Sequence, residues 1–223
     1  MNISAALGFL WEYRQALLIG LGNTLYFTAL GLLVGLVIGF VVSVVRTAGH
    51  PLLKLVATGY VEVFRGTPML IQLFWFFFCL PALLGVELGN VFSTILTLSL
   101  YMGAISSESF RAALKAIGTE QRDACIALGL PGRVSVPYVI LPQTVMRAVP
   151  TLLSNCVTLF KESALVSTVG MADLMYQGQM IADSTARPIE ILTATALIYF
   201  IIAFATTRIV TFYEQGYLAR MRL

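Results

Sequence analysis

Charge is scarce in this chain, and so are the residue types that most enzyme sites are built from. Lysine and arginine number 14 and aspartate and glutamate 11, together 11% of 223 residues, whereas 58% are hydrophobic. A soluble domain of this size cannot hide that much apolar surface. The mean hydropathy of +0.88 fits a polytopic membrane protein. His50 is the sole histidine, which excludes a histidine-based catalytic or metal constellation within one chain. Cys79, Cys125 and Cys156 are odd in number and lack metal-ligand spacing, so there is no disulfide framework and no metal site. No G-x-x-x-x-G-K-[ST] loop, nucleophile elbow or H-E-x-x-H occurs, so the chain does not bind ATP through a P-loop. A net charge of +3 is too small to imply nucleic acid. The opening MNISAALGFLWEYRQ lacks the basic start and small-residue cleavage site of a signal peptide. With Trp11 and Tyr13, residues 1–16 read as an interfacial segment.

What is present is a series of long apolar runs, enough for about five transmembrane helices. The spans run over Leu17–Val45, Pro68–Leu83, Val91–Ala113, a short run from near Arg147 and Pro150 to Lys161, and Ile189–Phe212. The second opens with a polar lead-in from Leu52, too long to be part of one straight crossing. Beyond Lys161-Glu162-Ser163, the stretch ALVSTVGMADLMYQGQMI is apolar but broken by Gly170 and Asp173. It reads as a re-entrant helix or a partial crossing, tolerated where backbone faces a cavity or another helix. Gly31, Gly35 and Gly39 share one helix face, suited to close approach of a helix of this subunit or of a second one. With the N-terminus outside, eleven basic residues (Arg46, Lys54, Arg65, Arg111, Lys115, Arg122, Arg133, Arg147, Arg208, Arg220, Arg222) fall inside and three (Arg14, Lys161, Arg187) outside. That split obeys the positive-inside rule and puts the C-terminus in the cytosol. The division expected is a membrane domain over 17–213 and a cytoplasmic tail over 214–223.

A polar island over 118–143 sits among these runs. Thr119 is positioned to cap a helix of about ten residues, with Glu120 and Asp123 near its positive end. Gly129 and Pro131 end it, and the chain re-enters the membrane at Leu141-Pro142. The series Asp123-Ala124-Cys125, three residues, Gly129, nine residues, Val139, one residue, Leu141-Pro142 resembles the EAA signature of ABC importer permeases. Asp123 stands for the usual Glu, Cys125 for the second Ala and Val139 for Ile. Glu62, Arg65, Gly66, Thr67, Pro68 and Gln72 resemble the E-x-x-R-G-T-P-x-x-x-Q segment of the polar amino acid permeases within that group. Glu108-x-x-Arg111 and Lys161-Glu162-Ser163-Ala164-Leu165 resemble two further stretches of the same family, with Ile105 in place of Tyr and Glu120 in place of the Gly before Gln121.

The resemblance covers about residues 20–212. It implies an all-α membrane protein with the type I ABC importer transmembrane fold. The island becomes a coupling helix that docks on a separate ATPase through Thr119, Gln121, Asp123, Ala124, Cys125, Gly129, Leu141 and Pro142. It also implies a bacterial inner-membrane assembly of two permease subunits, identical or different, two ATPase subunits and a periplasmic amino-acid-binding protein. The chain itself then holds no cofactor, and Mg-ATP belongs to the partner. Asn155, Lys161, Glu162 and Ser163 are candidates for the substrate path: Glu162 suits an ammonium and Lys161 a carboxylate. The plainer alternative is a Lys161–Glu162 pair that ends a span. Glu62 with Arg65 and Glu108 with Arg111 are three apart, so each is either a gate element or a structural ion pair. Thr67, Pro68 and Gln72 go with the first pair. Two other classes compete: a secondary transporter driven by an ion gradient, which usually carries internal repeats not found here, and a membrane scaffold.

Overall fold

The structure is a computed structural model that describes residue 8 and residues 10–221, with side chains left out at 48 and from 213 onward. Half of the expected interfacial segment, residues 1–7 and 9, therefore lies outside the described residues, as does Arg222. Helices make up the fold, and no strand occurs among the described residues. They are α1 (Arg14–Ala48), α2 (Pro51–Gly66), α3 (Met69–Leu84), α4 (Asn90–Lys115), α5 (Thr119–Ala127), α6 (Leu141–Glu162), α7 (Leu174–Thr185) and α8 (Pro188–Met221). Among them α1 and α8 are long and apolar enough to cross a membrane, and α2 with α3 qualifies as one span bent by 111°. α4 is long enough but less apolar. Its Ser93, Thr94, Thr97, Ser99, Ser106 and Ser107 are buried inside the bundle instead of facing lipid.

The glycine stripe decides how the first helices pack. A Cβ added at Gly31 would lie 2.7 Å from Leu98, and one at Gly35 2.6 Å from Met102. Partner numbers rise together, so α1 and α4 run side by side in the same direction. The stripe is thus spent within the subunit, not on a second copy. α6 runs against α4, because Arg147 donates to the Ala116 carbonyl (2.5 Å) and Asn155 to Ser109 Oγ (2.9 Å).

From Glu162 the path continues without turning back. A 3-10 segment, Ser163–Val169, leads into α7, and successive contacts descend along α1: Thr28 donates to Ser163 Oγ (3.1 Å), Asn23 to the Ala172 carbonyl (2.7 Å), and the Leu174 N–H to Thr24 Oγ1 (3.0 Å). Residues 163–185 therefore complete the direction begun by α6; they do not form a re-entrant hairpin. The break is tolerated because α1 side chains and Asp173, which accepts from the Tyr176 N–H, satisfy the freed backbone groups. α8 then returns antiparallel to α7, with Thr195 against Gly178 and the Tyr199 hydroxyl donating to Asp173 Oδ2 at 3.1 Å.

Prolines explain the local departures from the sequence expectations. Pro81 and Pro142 lack N–H groups and would crowd the carbonyl four residues back. Each is preceded by a π-helical turn, Trp75–Cys79 and Val136–Ile140, where the bond reaches five residues back. The chain turns helical again at Gly132, directly after Pro131 and ahead of Leu141-Pro142. Pro150 lies inside α6 instead of starting it. At the other end α8 runs unbroken past residue 213 to Met221.

Candidate functional site

The polar island folds into a short helix with a sharp stop. α5 spans nine residues, and its N-cap is Gly118, not Thr119, which is its first helical residue and makes no capping bond. Gly129 adopts φ +66°, and a pair of bonds closes the helix: Gly129 N–H to the Ile126 carbonyl (2.9 Å) and Leu130 N–H to the Cys125 carbonyl (2.9 Å). This Schellman stop needs a left-handed residue, which is why glycine stands there. Cys125 is the one buried residue of α5 and seats the helix over a cavity of about 500 Å³ that Val44, Leu114, Ile140 and Leu141 also line. Thr119, Gln121, Asp123 and Ala124 are exposed, Leu141 is half-buried and Pro142 exposed. Gln143 donates to Gln121 across the loop (3.5 Å). Beside these polar groups Ile126, Leu128 and Tyr138 are more than 70% exposed. An apolar cluster on a polar loop is the character of a contact surface.

Glu108 is the centre of a second cluster. Arg46 from α1 reaches it at 2.5 Å, Arg111 of the next helical turn bonds it through Nε (3.0 Å) and Nη2, and Arg65 from α2 stands at 4.0 Å. Arg65 thus turns toward Glu108 and not toward Glu62, because the bend after α2 brings its end to α4. Glu62 is exposed and acts on Arg111 only at longer range. Arg46 also donates to Thr58 at 3.3 Å, so one guanidinium joins α1, α2 and α4. Its role was invisible in the sequence, where Arg46 read only as an inside charge.

Thr67, Pro68 and Gln72 form the bend itself. Gln72 is buried, and its Nε2 donates to the Phe64 carbonyl (2.8 Å), the Thr67 carbonyl (3.0 Å) and Thr67 Oγ1 (2.9 Å). Carbonyls orphaned at the end of α2 are thereby satisfied, and Pro68 supplies no competing donor.

At the break after α6, Lys161 is exposed, Glu162 is half-buried within electrostatic reach of Tyr101, and Asn155 is engaged with Ser109. No Lys161–Glu162 ion pair forms among the described residues. Ser163 is fully buried and held between Thr28 and the Phe160 carbonyl. Thr28, Asn23, Thr24 and Tyr199 organise this break, and no local pattern in the sequence marked them.

Residues 31–218 match the family described as binding-protein-dependent transport system inner membrane component. The chain is 33% identical to the arginine transport system permease protein ArtQ of Bacillus subtilis over 84% of its length and 86% of that protein's. It is 34% identical to the glutamine transport system permease protein GlnP of Escherichia coli K12 over 86% and 89%. Among solved structures, a crystal structure of an amino acid ABC transporter with histidines superposes with a TM-score of 0.87 at 29% identity, covering 93% of this chain and 96% of that one. The MetNI methionine ABC transporter in an inward-facing conformation gives 0.70 at 25% identity, covering 90% and 97%.

Proposed function

This chain belongs to the family of binding-protein-dependent transport system inner membrane components, and from that premise we propose that it is the permease subunit through which a polar amino acid is imported. The substrate arrives from a periplasmic binding protein. A partner ATPase pair binds Mg-ATP and supplies the energy, and a second permease completes the pathway. The protein lies in a bacterial inner membrane and crosses it five times: α1, α3, α4, α6 with α7, and α8. Residues 17–213 form the membrane domain, with the coupling loop over 118–143.

The observation that carries this reading is α5. It is a short, stiffly terminated helix offering Ile126, Leu128 and an exposed polar face at the end of the bundle where Arg46, Arg111 and Arg147 gather. A lever of that form passes motion rather than performing chemistry. Closure of the ATPase pair would pull on α5, and the Schellman stop transmits the pull into the helix that starts at Gly132. α6 would then rock against α4 and alternate the access of the break at Glu162. There the exposed Lys161 and half-buried Glu162 complement a zwitterion, while Ser163 acts as a fixed joint. The family is named for dependence on a binding protein, which leaves the ion-gradient reading without support.

Uptake of labelled amino acids into vesicles that hold the co-purified complex tests the proposal. Accumulation is expected only with internal ATP and the ATPase subunit present. Accumulation by the isolated chain without nucleotide would overturn it.

A further inference from the structure

Where the ends of α1 and α4 meet α2 and the start of α5, a cavity of about 550 Å³ opens. Arg46, Arg111, Lys115 and Arg122 line it. Glu108 is taken up by Arg46 and Arg111, and Glu62 acts on Arg111. Glu120 and Asp123, though on α5, are not part of its wall. Four cations against those two carboxylates leave a surplus of two positive charges. Among the described residues Lys115 and Arg122 make no ion pair. Thr58 and Thr119 add hydroxyls to the wall. The cavity is therefore equipped for an anion with several oxygen acceptors.

Thr58 also says what carries that anion. It belongs to α2, which buries Ala57 and Val61 but leaves Leu52, Leu53, Leu55 and Val56 between 55% and 70% exposed. Leu55 lies one helical turn before Thr58, so the apolar face adjoins the cationic cavity, and the two match the two halves of one molecule. An acidic side chain from a protein partner would satisfy the cations and leave that face bare. We propose that the cavity binds the phosphate ester of an anionic phospholipid, whose acyl chains lie along the exposed face of α2. The headgroup then ties Arg122 of the lever to Arg46 and Arg111 of the bundle, so lipid charge tunes how firmly the lever is held.

The test uses the purified full chain, delipidated in detergent and offered phosphatidylglycerol or phosphatidylcholine with the same acyl chains, with retention read by native mass spectrometry. One phosphatidylglycerol per chain is expected to survive in preference to phosphatidylcholine. The double substitution Lys115→Gln with Arg122→Gln should weaken retention roughly thirtyfold. Both side chains are exposed, so an unchanged melting temperature shows that this variant still folds. Leu53→Ser with Val56→Ser should weaken phosphatidylglycerol but leave any protection by inorganic phosphate intact. Equal retention of both lipids, or a double variant that keeps phosphatidylglycerol as the parent does, would overturn the proposal. So would a site that inorganic phosphate fills as tightly as the lipid, indifferent to the α2 changes, since the occupant would then be free phosphate. Binding is read on the chain alone, so its loss leaves the transport proposal standing, and failed uptake with lipid retained strikes only the latter.

Discussion

Glu108→Gln removes one charge and leaves three guanidinium groups facing each other. The Arg46 side chain is 9% exposed and that of Glu108 18%, with oxygen and nitrogen 2.5 Å apart. At an effective dielectric near 20, charges about 4 Å apart attract by about 4 kcal/mol, and desolvation cancels much of it. Stripping a fully buried pair of one partner costs ~3–5 kcal/mol, and the partial exposure here lowers the expectation to about 2–3 kcal/mol. Arg46→Gln should cost about the same. Arg111→Gln, a neighbour on the same helix, should cost about 1 kcal/mol. Arg65→Gln should cost less than about 0.5 kcal/mol, since its side chain is 49% exposed and 4.0 Å away. The assay is thermal unfolding in detergent with a thiol-reactive dye, in a Cys79→Ser background. Cys79 is exposed, whereas Cys125 is buried and Cys156 half-buried, so the last two report unfolding. For a chain of this size Glu108→Gln should lower the melting temperature by about 4–12 °C. Arg46→Gln combined with Glu108→Gln should cost at least about 1 kcal/mol less than the sum of the singles. A Glu108→Gln protein that melts within a degree of the parent but transports differently would make the cluster a gate and refute the structural argument.

Four further outcomes are expected. Gly35→Val should destabilise the same melt by about 1–3 kcal/mol, because its Cβ would meet the Met102 Cβ at 2.6 Å and neither atom can rotate away. Gly59→Ala, mid-helix with open space around it, should raise stability by about 0.5–1 kcal/mol and serves as the steric control. Gly129→Val forces a β-branched residue to φ +66°, at about 1–3 kcal/mol. It should cut stimulation of the partner ATPase while leaving membrane insertion intact. Asp123→Lys should leave insertion and partner ATP hydrolysis in place but abolish uptake; normal uptake would count against α5 as the lever. Gln72→Leu removes three hydrogen bonds at the α2–α3 bend, and a melt lowered by less than about 1 kcal/mol would show that the bend does not depend on them.

Much of this was legible along the chain. Apolar runs marked the long helices α1 and α8 and the bent α2–α3 pair, Gly129 and Pro131 marked the end of α5, and the spaced series from Asp123 to Pro142 pointed to the family, since each depends on residues close in sequence. Other features turned on distant partners. Glu108 and Arg111 are three apart and could be paired on paper, but Arg46 lies 62 positions from Glu108 and offered no signal. Likewise the glycine stripe announced a close neighbour without naming it, and α4 proved to be that neighbour.

The sequence by itself determined that this is an apolar, helical chain of the permease family with a short helix stopped at Gly129, because hydropathy and turn chemistry are local properties. Only the tertiary structure decided that residues 163–185 carry on in the direction of α6 and do not double back. That outcome rests on Asn23, Thr24 and Thr28 of α1 supplying the hydrogen bonds a broken helix needs, and a backbone in lipid goes where those bonds are available.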